Sequence, residues 1–409
     1  MENNLQARKD RVNAAVNLAE GDRVPFAPKL GYGTYVQTSG ISMYEGLMDL
    51  RNMKAGVTKM LTRYDMDLYW GPAVYPANVL ETLDSVAVNW PGPRGRLDRN
   101  AGYQINDITY MDIDEYDEFL HDPSKFFMTK VFPRKHKKLK GLSKVSFQDI
   151  VEFGHYASMT AFADPEVKEA FFTLMNAGEQ ACKWASAQGE LAALALELQT
   201  PLGCTLGLNA PYDMLADNLR GYINVPMDIF EEPEKVLAAV DFFTTIALKS
   251  VSNLKAQGVQ YVFMPLHGGT DIMMSNADYE KFYWPSLYRV IQEIINQGMI
   301  PYVFCEGPYN TRLEILKQVP KGKCIFMFEE VDIANAKRIL GDTACICGNI
   351  PTADLIYGKK EKVIEKTKQM LDICAPGGGF IMDASIVIDQ YNEENFDAWY
   401  ETTMKYGVY

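Results

Sequence analysis

Histidine is scarce, at four residues among 409, and the common nucleotide and nucleophile signatures are missing. There is no GxGxxG after an apolar run, no GxxxxGK[ST] loop and no GxSxG elbow. Those absences exclude the phosphate cradles of dinucleotide and P-loop enzymes and the strained serine turn of the α/β-hydrolases. There is no CxxC pair either, so a zinc ion would have to draw its ligands from separate strands. Positive charge is in deficit, with 40 Lys and Arg against 53 Asp and Glu and a net charge of -13. Nucleic acid and anionic membrane surfaces need clustered cations, so neither is expected as a partner. The one basic run, residues 134–140, reads as a solvated loop. No apolar run reaches the roughly 18 residues of a membrane span, and residues 1–22 are too polar for a signal peptide. Seven scattered cysteines fit a reducing cytoplasm better than a disulfide framework.

What is present is an ordinary globular composition, 47% hydrophobic and 23% charged, enough for a sizeable core. Residues 260–310 organise the rest. Two short apolar runs, 261–266 and 300–304, read as strands covered on both faces. Each ends abruptly in polar or glycine-rich residues: His267-Gly268-Gly269 after the first, Cys305-Glu306-Gly307 after the second.

Around them, segments of strand and helix character alternate with short connections. Helices are expected over 4–20, 47–64, 166–191, 212–221, 228–256, 275–298, 311–316, 333–340 and 361–374. Strands are expected over 24–28, 202–208, 324–328, 344–347 and 379–382. Residues 32–46 read as an aromatic-bearing loop, 84–102 as a hairpin insertion, and 112–127 as an acidic surface segment. The alternation predicts an α/β fold: a single (β/α)8 TIM barrel over residues 1–409, with an elaborated N-terminal region within about 1–140. No repeat and no low-complexity segment interrupts it.

In such barrels the chemistry sits at the C-terminal ends of the strands. His267, Cys305, Glu306 and Asp383 each fall at or just after a strand end, which makes them the candidate site. A lone histidine is more often structural; the company of the other three raises its standing. Cys305 and Glu306 are adjacent, so on a strand only one of them faces the barrel axis. Cys345 and Cys347 share a face and read as core filling. Gly377-Gly378-Gly379 reads as a tight helix-to-strand connection in preference to a phosphate loop. Among 23 tyrosines, Tyr32 and Tyr309 lie in loops suited to an aromatic substrate.

The order and spacing of three further motifs add a family. They are Gly21-Asp22-Arg23-Val24-Pro25; Leu219-Arg220-Gly221 followed by Asp228 and Pro233-Glu234-Lys235-Val236; and Gly348-Asn349-Ile350-Pro351 followed by Leu355, Gly358 and Glu361-Lys362-Val363. Together they resemble the uroporphyrinogen decarboxylase superfamily, from Gly21 onward, and the resemblance implies one barrel.

The superfamily's decarboxylases carry an arginine-rich loop after the first strand. Here that loop reads PFAPKLGYGTYVQTSG, with Lys29 and no arginine. A porphyrinogen bearing eight carboxylates needs more cations, so that activity is not expected. The other branch comprises corrinoid-dependent methyltransferases with a His-x-Cys-Gly zinc motif. Gly307 matches its glycine, but Phe304 and Glu306 fall on the histidine and cysteine, and Asp383 stands near the second cysteine.

The resemblance therefore implies an O-demethylase-type methyltransferase, moving a methyl group from a methoxylated aromatic to the cob(I)alamin of a separate corrinoid protein. The expected cofactors are zinc, held by His267, Glu306 and Asp383 with Cys305 as alternative ligand, and cobalamin carried by the partner. Glu306 and His267 are the expected catalytic groups, and a protonated Glu306 is the alternative to the metal. The competing readings are a decarboxylase of a non-porphyrin substrate and a non-catalytic binding barrel. The sequence also allows a homodimer.

Overall fold

The computed structural model describes residues 4–72, 75–146, 155–204 and 206–409. Five parallel strands form one sheet in the order Tyr261–Leu266, Ile300–Pro308, Ile325–Glu330, Cys345–Cys347 and Phe380–Ile381. Three shorter extended segments complete the ring through single bridges. Phe26 pairs with Met382, Tyr69 with Leu202, and Gly207 with Phe263; Asp67 N–H donates to Phe26 O at 2.8 Å. Parallel neighbours require helical crossovers, and the ring is the (β/α)8 barrel that the alternation of segments predicts.

The two-residue period of the strands divides their side chains into two layers. Tyr302, Phe304, Met327, Cys345, Cys347 and Ile381 pack inside the ring with Trp70 and Cys204. Val303, Cys305, Phe326, Phe328, Ile346 and Phe380 pack outward against the helices. Cys345 and Cys347 are thus core residues, as their shared face implies. Pro233–Ala256 is apolar enough to resemble a membrane span by composition, but Val236, Ala239, Val240, Phe243, Ala247 and Val251 turn inward as one buried stripe.

Several elements depart from expectation. Residues 32–46 are not a loop: they carry helices Tyr32–Ser39 and Met43–Met48. Ser42 and Glu45 form a reciprocal capping box, with Ser42 N–H donating to Glu45 at 2.8 Å, the pattern that starts a helix. The single helix expected over 47–64 breaks at Asp49, which is extended and caps the short turn Leu50–Met53 before Lys54–Arg63. The basic run is not simply solvated, since Arg134 donates to Tyr110 O at 2.7 Å and to Glu115. The acidic segment buries Tyr116, Phe119 and Phe126. A C-terminal helix, Glu393–Tyr406, closes the barrel's flank by setting Trp399 4.8 Å from Phe26. The insertion forms a three-stranded sheet of Val88–Pro91, Arg96–Leu97 and Gln104–Ile105.

The fully buried Asp67 pairs with Arg11 and, at 2.7 Å, with Arg23. Arg8 and Arg23 both reach Asp65. These cations all have carboxylate partners, so this cluster fixes the chain's entry into the barrel. The triple glycine is a connection, held by Lys337 Nζ donating to Gly378 O at 2.6 Å.

Candidate functional site

His267 follows directly on the Tyr261–Leu266 strand, and its backbone is clamped from below. The buried Asp213 accepts from the N–H of His267 at 3.0 Å, from that of Gly268 at 2.9 Å and from Tyr283 O–H at 2.6 Å. Burial pushes the Asp213 carboxyl up to about 6. On the imidazole, Nδ1 lies 2.8 Å from the Tyr222 oxygen and 3.5 Å from Asp217 Oδ2. Tyr222 O–H donates to Asp217 Oδ1 at 2.6 Å, and a hydroxyl has one proton to give. The Tyr222 oxygen therefore accepts from His267 Nδ1–H, and Nε2 is left to face the mouth.

What it faces is Glu306: Nε2 and Glu306 Oε2 are 3.5 Å apart. Glu306 is turned inward at an irregularity of the Ile300–Pro308 strand. The pairing register shifts between Cys305 and Pro308, and Gly307 takes φ +81°, a left-handed conformation that glycine adopts freely. Gly307 N–H donates to Glu329 at 2.7 Å, which brings a second carboxylate near the first. A bulge of this kind re-aims a side chain.

Both members of the pair are shifted upward, for different reasons. Burial opposes a charge on His267, but contact with Asp217 and the charges of Asp213, Asp217 and Glu306 outweigh it and raise the imidazole to about 9. Burial, with Glu329 adding repulsion, raises Glu306 against the opposing pull of His267 and Lys29. At neutral pH the imidazole carries the pair's proton.

A wall of tyrosines stands beside it. Tyr103 stacks on Tyr32 at 5.6 Å and meets Tyr75 edge-on at 5.3 Å. Tyr103 lies within electrostatic reach of Glu306, and Tyr75 of Asp217. Tyr32 backs this wall, its oxygen accepting from Tyr103 N–H at 3.3 Å.

Asp383 is also near, but differently engaged. It is fully buried and accepts from the N–H groups of Lys29 at 2.9 Å and Ala384 at 2.7 Å. The Cys347 thiol also points to it at 3.8 Å. Burial pushes Asp383 up to about 7. The Lys29 side chain extends into the barrel, within reach of the charges of both Asp383 and Glu306.

This arrangement corrects three expectations. Cys305 cannot serve as an alternative metal ligand, because its side chain is fully buried in the barrel-to-helix layer. Tyr309 does not line the mouth; its ring is fully buried in the same layer. Nor do His267, Glu306 and Asp383 form a zinc cage. Among the described residues no three His, Cys, Asp or Glu side chains converge to hold a metal ion. Asp383 Oδ1 takes both backbone N–H groups and Oδ2 meets the Cys347 thiol at 3.8 Å, and the ammonium of Lys29 lies in the field of both carboxylates. The described side chains are not gathered as zinc ligands.

Asp213, Asp217, Tyr222, Tyr75 and Tyr103 escaped the reading of the sequence. The buried Asp213 and half-buried Asp217 in the stretch 211–222 were the available signal. Lys29 was noted only for not being arginine, yet it is a lone charge ending an otherwise apolar run.

The sequence profile of the family described as Uroporphyrinogen decarboxylase (URO-D) matches residues 184–406, more than half of the chain. The chain belongs to the uroporphyrinogen decarboxylase family. Among solved structures, a methyltransferase from Methanosarcina mazei is similar over 97% of this chain and 98% of its own, with a TM-score of 0.62 and 14% sequence identity. At that identity the likeness concerns the fold, and it agrees with the barrel. No curated protein matches in sequence. The stretch shared with the uroporphyrinogen decarboxylase family takes in His267, Glu306, Asp217 and Asp383. Lys29 and the tyrosine wall lie ahead of it.

Proposed function

We propose that this protein is a methyltransferase of the family, taking a methyl group from a methoxylated aromatic donor and passing it to the cobalamin of a separate corrinoid protein. The observation that carries this reading is the proton-holding pair Glu306 and His267 set beside Tyr103 and Tyr75. An aryl ether is inert because phenolate leaves poorly unless its charge is met as it forms. The donor ring lies along the tyrosine wall with its ether oxygen toward Glu306. As the bond from oxygen to methyl breaks, the electron pair stays on oxygen. The pair's proton then goes to that oxygen, so a neutral phenol departs. When docked, the corrinoid supplies the nucleophile that accepts the methyl. Tyr222 and Asp217 keep the imidazole oriented, and no step passes through a metal.

The partner's face is supported by exposed apolar residues. Ile223, Met227, Phe230 and Ile272 are all more than half exposed and follow in the chain from Tyr222 and His267. Exposed apolar side chains near a site suit an interaction surface. The test is demethylation of veratrol- or vanillate-like compounds with and without a reduced corrinoid protein. Phenol release only in its presence supports the reading, and no release from any methoxylated donor removes it. The family's description favours a second reading, decarboxylation of a small non-porphyrin acid, which predicts carbon dioxide release with no corrinoid present.

A further inference from the structure

Lys29 is 5% exposed, yet among the described residues its ammonium donates no hydrogen bond and makes no ion pair. Buried lysines are rare and almost always paired. Its surroundings are aromatic faces: Nζ lies 3.5 Å from the centre of the Phe263 ring, 4.7 Å from Phe304 and 5.6 Å from Trp70. Ring faces attract a cation but are only weak acceptors for its N–H bonds. The nearby carboxyls do not supply what is missing. Asp383 Oδ1 accepts two backbone N–H groups and its Oδ2 meets the Cys347 thiol at 3.8 Å, and Glu306 faces His267. Burial lowers Lys29 to about 8, which still leaves it largely charged at neutral pH.

We propose that Lys29 is an anion seat, its ammonium binding an ionised oxygen carried on the aromatic ring of the substrate. The three open N–H bonds supply the donors. Phe263, Phe304 and Trp70 flank the ammonium and lie beside the ring that bears the anion. A charge-assisted contact in such a place is stronger than one in water. The oxygen is either a phenolate or a ring carboxylate, which share this chemistry. The inference rests on the reading of the mouth as a substrate site, but it does not need methyl transfer.

Wild type, K29M and K29R are titrated with 4-nitrocatechol, whose ionised form has its own visible absorption band. The wild type is expected to bind it as the anion. K29M should weaken binding by about tenfold or more and lose the anion band, and K29R should restore part of both. Displacement by benzoate assigns the seat to a carboxylate; failure of benzoate to compete assigns it to a phenolate. Unchanged affinity and band in a K29M protein with native near-ultraviolet circular dichroism would overturn the proposal. Should K29M not fold, the wild type decides: tighter binding of neutral 4-nitroanisole than of 4-nitrocatechol overturns it equally. Anion binding without any demethylation would sink the methyl-transfer reading and leave the seat standing.

Discussion

His267 Nε2 sits 3.5 Å from Glu306 Oε2, while the opposite ring nitrogen is 2.8 Å from the Tyr222 oxygen. The imidazole is thereby strung between a phenol that orients it and a carboxyl that shares its proton. Removing the carboxyl should stop proton delivery without disturbing the barrel, because Glu306 is 42% exposed at its side chain. Glu306→Ala should lower demethylation by about 10²- to 10⁴-fold, the usual worth of a positioned acid. Circular dichroism and the thermal midpoint should stay close to wild type. A mutant that demethylates at the wild-type rate removes Glu306 from the chemistry.

The charge on His267 should also be visible in stability. Its folded value of about 9 exceeds the ordinary 6.5, so the folded state binds the proton more tightly than the unfolded chain. The stabilisation is complete below about pH 6.5 and is lost as pH rises through about 9. His267→Gln should therefore cost most near pH 6, with the gap to wild type closing toward pH 9. Denaturant midpoints across that range measure it. A gap that widens with pH would mean the imidazole is neutral when folded. Demethylation should fall over the same upper range, as the donor loses its proton.

How far the sequence foretold this depends on which interaction set each element. The five long-range parallel strands were readable because a strand buried on both faces must be apolar throughout and must end where polar residues begin. Residues 24–28, 67–70 and 202–208 pair through single bridges. They gave a weaker signal, and the segment at 67–70 gave none. The helices at 32–48 were hidden by glycines and tyrosines that read locally as loop; burial of Tyr32, Tyr35 and Val36 in the core overrides that preference. His267 and Glu306 were legible from their place at strand ends. Their partners were not, since Asp217 and Tyr222 meet His267 only through the fold. Cys305 and Tyr309 misled because adjacency in sequence does not say which way a side chain points.

Tyr222→Phe isolates orientation from chemistry. The change leaves Asp217 and His267 Nδ1 each short of a partner, worth about 1–3 kcal/mol. Activity should drop by the corresponding factor of roughly 5 to 150. Nitrogen NMR of the imidazole should show a shifted proton equilibrium. Glu306→Ala should keep the Nδ1 contact intact in the same spectrum. Loss of that contact in both variants would deny Tyr222 an independent positioning role.

Metal content follows from the donor arrangement. With Asp383 engaged by two N–H groups and Cys305 turned outward, the purified protein should carry well under one zinc per chain. Prolonged chelation should leave both the fold and demethylation unchanged. Stoichiometric zinc, removed only with loss of activity, would show that Asp383 or Lys29 is rearranged in solution.

The turn at Gly307 aims Glu306. Gly307 has φ +81°, and a Cβ there would come 3.1 Å from Thr270 Cγ2. Gly307→Ala should cost about 1–2 kcal/mol from the left-handed backbone alone, seen as a lower denaturant midpoint. Relief of that strain would unwind the irregularity and swing Glu306 away from His267, so demethylation should fall further than stability does. Gly258 supplies the control. It has a similar φ of +76°, but a Cβ there meets nothing within 4 Å. Gly258→Ala should lose comparable stability and keep full activity. Equal activity in the two variants would mean that the turn at Gly307 is structural and does not position the acid.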